Sequence, residues 1–404
     1  MVRLGSDIKD KIRQGEKIYN FTIGDFDSSV FPIPVKLEEE IIKAYKSRHT
    51  TYPPAEGLLV LRESVSEFIK QRQGLNYNQD EILIAAGGRP LIYALYRAIV
   101  DKGDKVIYSV PSWNNNHYVH FTEGIHQVIE TTVLNNFMPL AADIKLHIKG
   151  ASLIALCSPL NPTGTIFKKE ELEAICDLVL EENNQRLPGE KKLYVMYDQI
   201  YWTLTFGNSV HYNPVSLRPA MKDYTIFIDG ISKSFAATGV RVGWAFGPQY
   251  VLSKMKAINS HVGAWAPMAE QDATAKYLQQ ADLIDEYLIH FKSEIELRLL
   301  KIYEGFKKLN SEGFSVDAVT PQAAIYLTVQ FNLTKKKTIN GILLQKQKDV
   351  TDYILNNAGL AVVPFYAFGA SQDSNWYRLS VGTCKKEEIS DMLVNLRDAL
   401  KKLT

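Results

Sequence analysis

The chain is poor in cysteine. Its three cysteines (Cys157, Cys176 and Cys384) form no C-x-x-C pair, and their odd number and wide spacing exclude a disulfide framework and a structural zinc site. Reducing surroundings follow, and a cytoplasmic protein is expected. An excess of one charge is missing too. The 46 Lys+Arg against 45 Asp+Glu leave a formal net charge of +1, so no global field draws the chain to nucleic acid or an anionic membrane, and neither is expected as a partner. No apolar run reaches bilayer length, and the opening stretch MVRLGSDIKDKIRQGEK has no signal-peptide core. Repeats and low-complexity tracts are absent as well. The pair His117 and His120 lacks a carboxylate or cysteine that would complete a familiar metal-ligand set, so no metal is expected.

What is present is the composition of an ordinary globular protein, 46% hydrophobic and 23% charged. A chain of 404 residues exceeds the size at which one core stops growing, which predicts two domains. Residues 6–14 read as a short amphipathic helix and Ile18–Ile23 as a strand. Short apolar strands then alternate with helical segments: EILIA at 81, KVIYSV at 105, SLIALC at 152, LYVMYD at 193, TIFIDG at 225 and GWAFG at 243. Strands apolar on both faces predict a mostly parallel α/β sheet covered by helices on both sides, with function outside the carboxyl ends of the strands. From about residue 270 one long helix is expected, followed by AAIYLTVQF, a helix near 346–358, LAVVPF, WYRLSVG and a closing helix from Lys386. That pattern predicts an α+β layer. The expected division is a large domain at 48–288 and a discontinuous small domain made of 1–47 and 289–404.

The predicted strand ends carry an unusual set of groups. The first runs into AAGGRP, whose Gly87 and Gly88 let backbone N–H groups and a helix start face an anion, with Arg89 beside them. The next ends in VPSWNNN and brings Trp113. SPLNPTG holds Asn161 between two prolines. YDQIY places Asp198 after an apolar strand, where a carboxylate needs a cation or hydrogen-bond donors, and Tyr201 follows it. FIDGISKSFAATGVRVGW places Lys233 among small residues, with Ser232 before it and Arg241 eight positions on. Each taken alone has a plain structural explanation: a tight turn, a packed ring, a turn asparagine, an internal salt bridge, a solvated lysine. Together they match one ligand, pyridoxal phosphate. It has a phosphate for the cradle, a flat ring for Trp113, a pyridine nitrogen for Asp198, a phenolic oxygen for Asn161 and Tyr201, and an aldehyde for Lys233.

In the order YPPAEGLLVLRESVSEFI, AAGGRP, PSW, SPLNPTG, YDQIY, SKSFAATGVRVGW and WYRLSVG, the chain resembles the class I/II pyridoxal-phosphate aminotransferases of fold type I over almost its whole length. The resemblance implies a seven-stranded, mostly parallel sheet flanked by helices, a smaller α+β domain, and transfer of an amino group between an L-amino acid and a 2-oxo acid by alternating half-reactions. It implies that Lys233 forms the cofactor's Schiff base and serves as the base, that Asp198 pairs with the pyridine nitrogen, and that Arg241 holds the phosphate. Arg378 and Gly24 would meet the substrate carboxylate. Tyr52 would reach the phosphate of a neighbouring subunit, which implies a homodimer. Two positions depart from the family pattern: Gly230 stands where a phosphate-touching hydroxyl is usual, and Arg89-Pro90 replaces lysine or serine followed by glutamine. A carbon–sulfur β-lyase on the same scaffold is the runner-up, and a non-catalytic ligand-binding relative is a further alternative. With no arginine in HVGAWAPMAEQ and with Trp265, Phe26 and Phe31 available to line a pocket, a neutral or aromatic donor is favoured, unless Arg89 reverses that.

Overall fold

The computed structural model describes residues 2–404; Met1, part of the expected N-terminal unit, lies outside them. Seven strands form the main sheet: β2 (Ile82–Ala85), β3 (Lys105–Val110), β4 (Ile125–Glu130), β5 (Ala151–Cys157), β6 (Tyr194–Asp198), β7 (Thr225–Gly230) and β8 (Gly243–Phe246), in the order β2-β8-β7-β6-β5-β3-β4. Neighbours from β7 to β4 run parallel, and β8 is antiparallel to both β2 and β7. Every residue of β2, β7 and β8 is buried, as an all-covered sheet requires. β4 is the strand that apolar runs do not reveal. It lies at the sheet's edge and is mostly exposed, so its sequence IHQVIE is mixed.

A four-stranded antiparallel sheet joins β9 (Val316–Ala318), β10 (Tyr326–Phe331), β12 (Val363–Pro364) and β13 (Trp376–Ser380), in the order β12-β13-β10-β9. The expected strand at 18–23 shrinks to β1 (Tyr19–Asn20), paired parallel with β11 (Leu360–Ala361). Asn20 explains the early stop: its side-chain oxygen accepts from the backbone N–H and hydroxyl of Thr22, which diverts the chain from a ladder. The single long helix expected after residue 270 is two helices, Met268–Leu278 and Ala281–Ser311. Gln280, at φ −100° and ψ 71°, leaves the helical region between them.

The 31-residue helix Ala281–Ser311 touches two cores. Its Ile284 packs in the core under the main sheet, Phe291 and later residues pack in the core of the smaller sheet, and Tyr287 and Leu288 contact both. Leu37, from the helix Val35–Lys46, belongs to the main-sheet core. Among the described residues no helix is long and apolar enough to cross a membrane.

Candidate active site

The carboxyl ends of five strands and one face of the smaller sheet surround a cavity of about 580 Å³. β2 leads through Ala86 and Gly87 into the helix Gly88–Ile99, whose first residues Gly88 and Arg89 line this space. Gly87 turns the chain at φ 86°, and a Cβ there would lie 2.4 Å from an Arg241 guanidinium nitrogen. Only glycine lets Arg241 close over this turn. Arg241 donates to the carbonyl oxygens of Ala86 and Thr238, both at 2.7 Å, and so ties the loop after β2 to the segment after Lys233. Gly88, Ser232 and Arg241 line the cavity together, and Gly87 lies against the Arg241 guanidinium.

Gly230, at the end of β7, has a steric reason to lack a side chain. A Cβ there would sit 2.7 Å from Gly243 Cα and 2.9 Å from the Val242 carbonyl oxygen. A serine or threonine has no room, so the hydroxyl on this wall is that of Ser232, which is buried and lines the cavity.

Lys233 sits in the short helix Ile231–Ser234 that directly follows β7 and lines the cavity, its Nζ donating to the Gly24 carbonyl oxygen at 2.8 Å. The ammonium lies 5.5 Å from the Phe26 ring centroid and 5.9 Å from that of Tyr201. Burial lowers its pKa to about 8. Asp25 opposes that shift, while Arg378, Arg89 and Arg241 add to it. Asp198 ends β6 between Cys157 and Ile228 of the flanking strands. Its carboxylate accepts from the Ile200 N–H at 3.1 Å and, among the described residues, makes no salt bridge. The internal ion pair that sequence left open is therefore not formed. Desolvation raises this carboxyl to about 6, with the Ile200 N–H opposing. An acid held this way in an apolar frame is matched to a cation that arrives with a ligand.

Asn161 and Arg378 meet: Arg378 Nη1 donates to Asn161 Oδ1 at 3.1 Å and Nη2 to the Thr22 carbonyl oxygen at 2.7 Å. Arg378 is buried, and its Nε has no hydrogen-bond partner among the described residues. Trp113 and Arg89 line the same cavity, the guanidinium carbon 5.5 Å from the indole ring centroid. Tyr201 and Gly24 complete the wall. Tyr52 stands outside the cavity of its own chain, 85% exposed and edge-on to Trp265 at 5.3 Å. Phe31 does not line the pocket as expected. It is buried in the smaller core against Phe26 and Phe291, with Arg298 over its ring.

Several lining residues lie outside the motifs. Asp25 accepts from the Thr238 hydroxyl at 2.6 Å, Asn115 accepts from the Tyr96 hydroxyl at 3.0 Å, and Tyr326 enters from β10. Asn115, two positions after Trp113, carried a signal in the NNN run; Tyr326 becomes visible only through strand register.

The residues present fit pyridoxal phosphate. A glycine turn under an arginine and a helix start suit its phosphate, an unpaired carboxylate at the cavity wall suits its pyridine nitrogen, and a buried primary amine suits its aldehyde. Fold and site thus define a lysine-anchored pyridoxal-phosphate enzyme of fold type I. Within that class the chain belongs to the family described as aminotransferase class I and II, whose sequence profile matches residues 16–396.

The chain is 30% identical over 356 residues to an aspartate aminotransferase of Geobacillus stearothermophilus, covering 87% of this chain and 84% of that protein. A probable aspartate/prephenate aminotransferase of Rickettsia felis is 29% identical over 375 residues, covering 91% and 86%. Among solved structures, the aspartate aminotransferase of Rhizobium meliloti superposes with a TM-score of 0.90 at 24% identity, covering 100% of this chain and 96% of that one, which shows the fold. The Thermus thermophilus aspartate aminotransferase solved with maleate gives 0.86 at 26% identity, covering 99% and 96%. The protein is a pyridoxal-phosphate-dependent aminotransferase that moves an amino group between an amino acid and a 2-oxo acid. The lyase alternative gains no support from these relatives.

Proposed function

We propose that Lys233, Asp198, Arg378 and Asn161 carry the transamination, and that the donor and acceptor are acidic. The observation that carries the assignment is the pairing of a buried amine with an unpaired carboxylate across one cavity. Bound pyridoxal phosphate supplies an electron-accepting ring joined to the amino group under reaction. The chain's own groups do the rest. Arg378, oriented by Asn161 and Thr22, would take the α-carboxylate with two N–H donors and so fix the orientation of the substrate Cα. The Lys233 amine, brought to about 8 by burial, is poised to take the Cα proton and return it on the same face. Asp198 would hold positive charge on the pyridine nitrogen, while Gly87, Gly88, Ser232 and Arg241 would hold the phosphate. Trp113 and Tyr201, which line the same cavity, would hold its ring and its phenolic oxygen. Donor and acceptor use one cavity in turn, so ping-pong kinetics are expected.

Arg89 supports an acidic partner over the neutral or aromatic one favoured by sequence. It is exposed at the cavity mouth, stacks on Trp113, and makes no hydrogen bond or ion pair among the described residues. Phe31, a reason to expect an apolar pocket, is not at the cavity wall. Relatives named for aspartate, one solved with the dicarboxylate maleate, point the same way. The test is the ratio of kcat/KM for aspartate to that for phenylalanine. Arg89→Ser lowers this ratio at least about tenfold, the worth of one charge-assisted bond; an unchanged ratio overturns the assignment.

A homodimer is part of the same reading. Tyr52, Leu59, Val60 and Val262 are exposed, and Tyr52 does not line its own chain's cavity. Tyr52→Phe mixed with Lys233→Ala subunits tests whether one chain completes the other's site. Two domains, 48–288 and 1–47 with 289–404, are supported by the two cores and by their meeting at Tyr287 and Leu288. The packing of Leu37 argues for assigning the helix Val35–Lys46 to the larger unit.

A further inference from the structure

Tyr326 lies in none of the motifs, yet it reaches the cavity from β10 and is 1% exposed. β10 and β13 pair so that Thr328 faces Arg378 and Tyr326 faces Ser380. Side chains repeat every two residues along a strand, so Tyr326 is the diagonal neighbour of Arg378 on one sheet face. Its ring covers the Arg378 guanidinium at 4.8 Å, and Phe368 covers it at 4.9 Å. With Nε unpaired, these rings and the two Nη bonds are what orient the guanidinium. The Tyr326 hydroxyl lies 2.5 Å from that of Tyr201. Burial raises both phenols, so both keep their protons at neutral pH. Of two such hydroxyls, one donates to the other, and the accepting one keeps its own proton free for a further acceptor. The strand is also seated firmly. A Cβ at Gly164 would lie 2.2 Å from the Tyr326 carbonyl oxygen, and the Thr328 hydroxyl donates to the Thr163 carbonyl at 2.9 Å, which ties β10 to the loop that carries Asn161.

We propose that Tyr326 is a positioning residue serving both halves of the site: its hydroxyl donates to Tyr201 and aims the Tyr201 proton at the cofactor's phenolic oxygen, while its ring holds Arg378 square to the substrate carboxylate. This rests on the roles assigned above to Tyr201 and Arg378. Donation by Tyr326 polarises the Tyr201 hydroxyl and strengthens its own hydrogen bond. Without it, the phenolic oxygen keeps more negative charge and holds its nearby proton more tightly.

The experiment uses the substrate-free holoenzyme. It reads the pH midpoint of the cofactor's visible absorbance and the Kd of maleate, a dicarboxylate with no amino group to transfer. Tyr326→Phe, which keeps the ring, raises the midpoint by roughly 0.4–1 pH unit, the worth of one net hydrogen bond, and leaves the maleate Kd within about twofold. Tyr326→Leu raises the midpoint by a similar amount and weakens maleate roughly three- to thirtyfold through loss of the ring over the guanidinium. In a Tyr201→Phe background, Tyr326→Phe adds nothing further, because it acts through Tyr201. A wild-type midpoint in Tyr326→Phe, an additive shift in the double variant, or wild-type maleate affinity in Tyr326→Leu overturns the proposal. A titrating visible band that survives in Lys233→Ala overturns the assignment of Lys233 instead, so the two failures are distinguishable.

Discussion

The two sheets contribute to the site in different ways. The seven-stranded sheet delivers Asp198, Asn161 and Lys233 from the ends of β6, β5 and β7 or the turns just beyond, where backbone leaves the ladder. The four-stranded sheet delivers Arg378 and Tyr326 from within strands, on a face set by pairing register. In the proposed reading one gathers groups for a cofactor by converging loop starts, and the other presents an arginine for the substrate carboxylate on a rigid surface. Cofactor capture by Lys233 and carboxylate recognition by Arg378 are therefore separable by mutation, with Tyr326 as the residue that touches both.

The largest effect falls on the cofactor side. Lys233→Ala removes both anchor and base, so turnover drops by at least about 10⁴-fold and the visible band disappears; single-turnover absorbance checks both. Arg378→Lys acts on the other side. Replacing the planar fork by a point charge loses about 1.5–3 kcal/mol, which raises KM for the amino donor roughly ten- to hundredfold while the substrate-free spectrum stays as it was. If that spectrum changes as much as KM does, the separation fails.

A smaller effect comes from pH. Asp198 in the cofactor-free protein titrates near 6, above its ordinary value, because burial penalises the carboxylate. A bound pyridinium favours the charged form and lowers that pKa, so binding below about pH 6 must expel a proton. Cofactor affinity is accordingly full above pH 6 and weakens as pH falls through it. Equilibrium dialysis of the apoprotein between pH 5 and 8 reads the slope, and Asp198→Asn flattens it. The smallest effect concerns packing. Gly230→Ala forces a methyl group against Gly243 Cα and the Val242 carbonyl and costs about 1–3 kcal/mol of stability, read as a lowered Tm.

How much of this was legible in the sequence follows the same division. Strand ends announce themselves because an apolar run stops at polar or small residues, so Asp198, Asn161, Lys233 and the Gly87-Gly88 turn were all visible. So were the mostly parallel sheet and the smaller α+β layer. β4 was missed by its apolar pattern because an edge strand need not be apolar, and the break at Gln280 was hidden because glutamine carries no helix-stop signal. Arg378 came only through resemblance. Tyr326 was invisible, since its place depends on which residue of β10 faces which residue of β13, and nothing local states that register. The expected place of Phe31 at the pocket wall failed for a related reason: it is hydrophobic because it fills a core formed with Phe291, far along the chain.

The central claim is a covalent link between the Lys233 amine and the cofactor aldehyde. Borohydride reduction of the resting holoenzyme, followed by proteolysis and peptide mass mapping, tests it most directly. The pyridoxyl group is predicted on the peptide that contains Lys233 and on no other. Its recovery on a different lysine, or an unmodified Lys233 after complete bleaching of the visible band, would contradict the account.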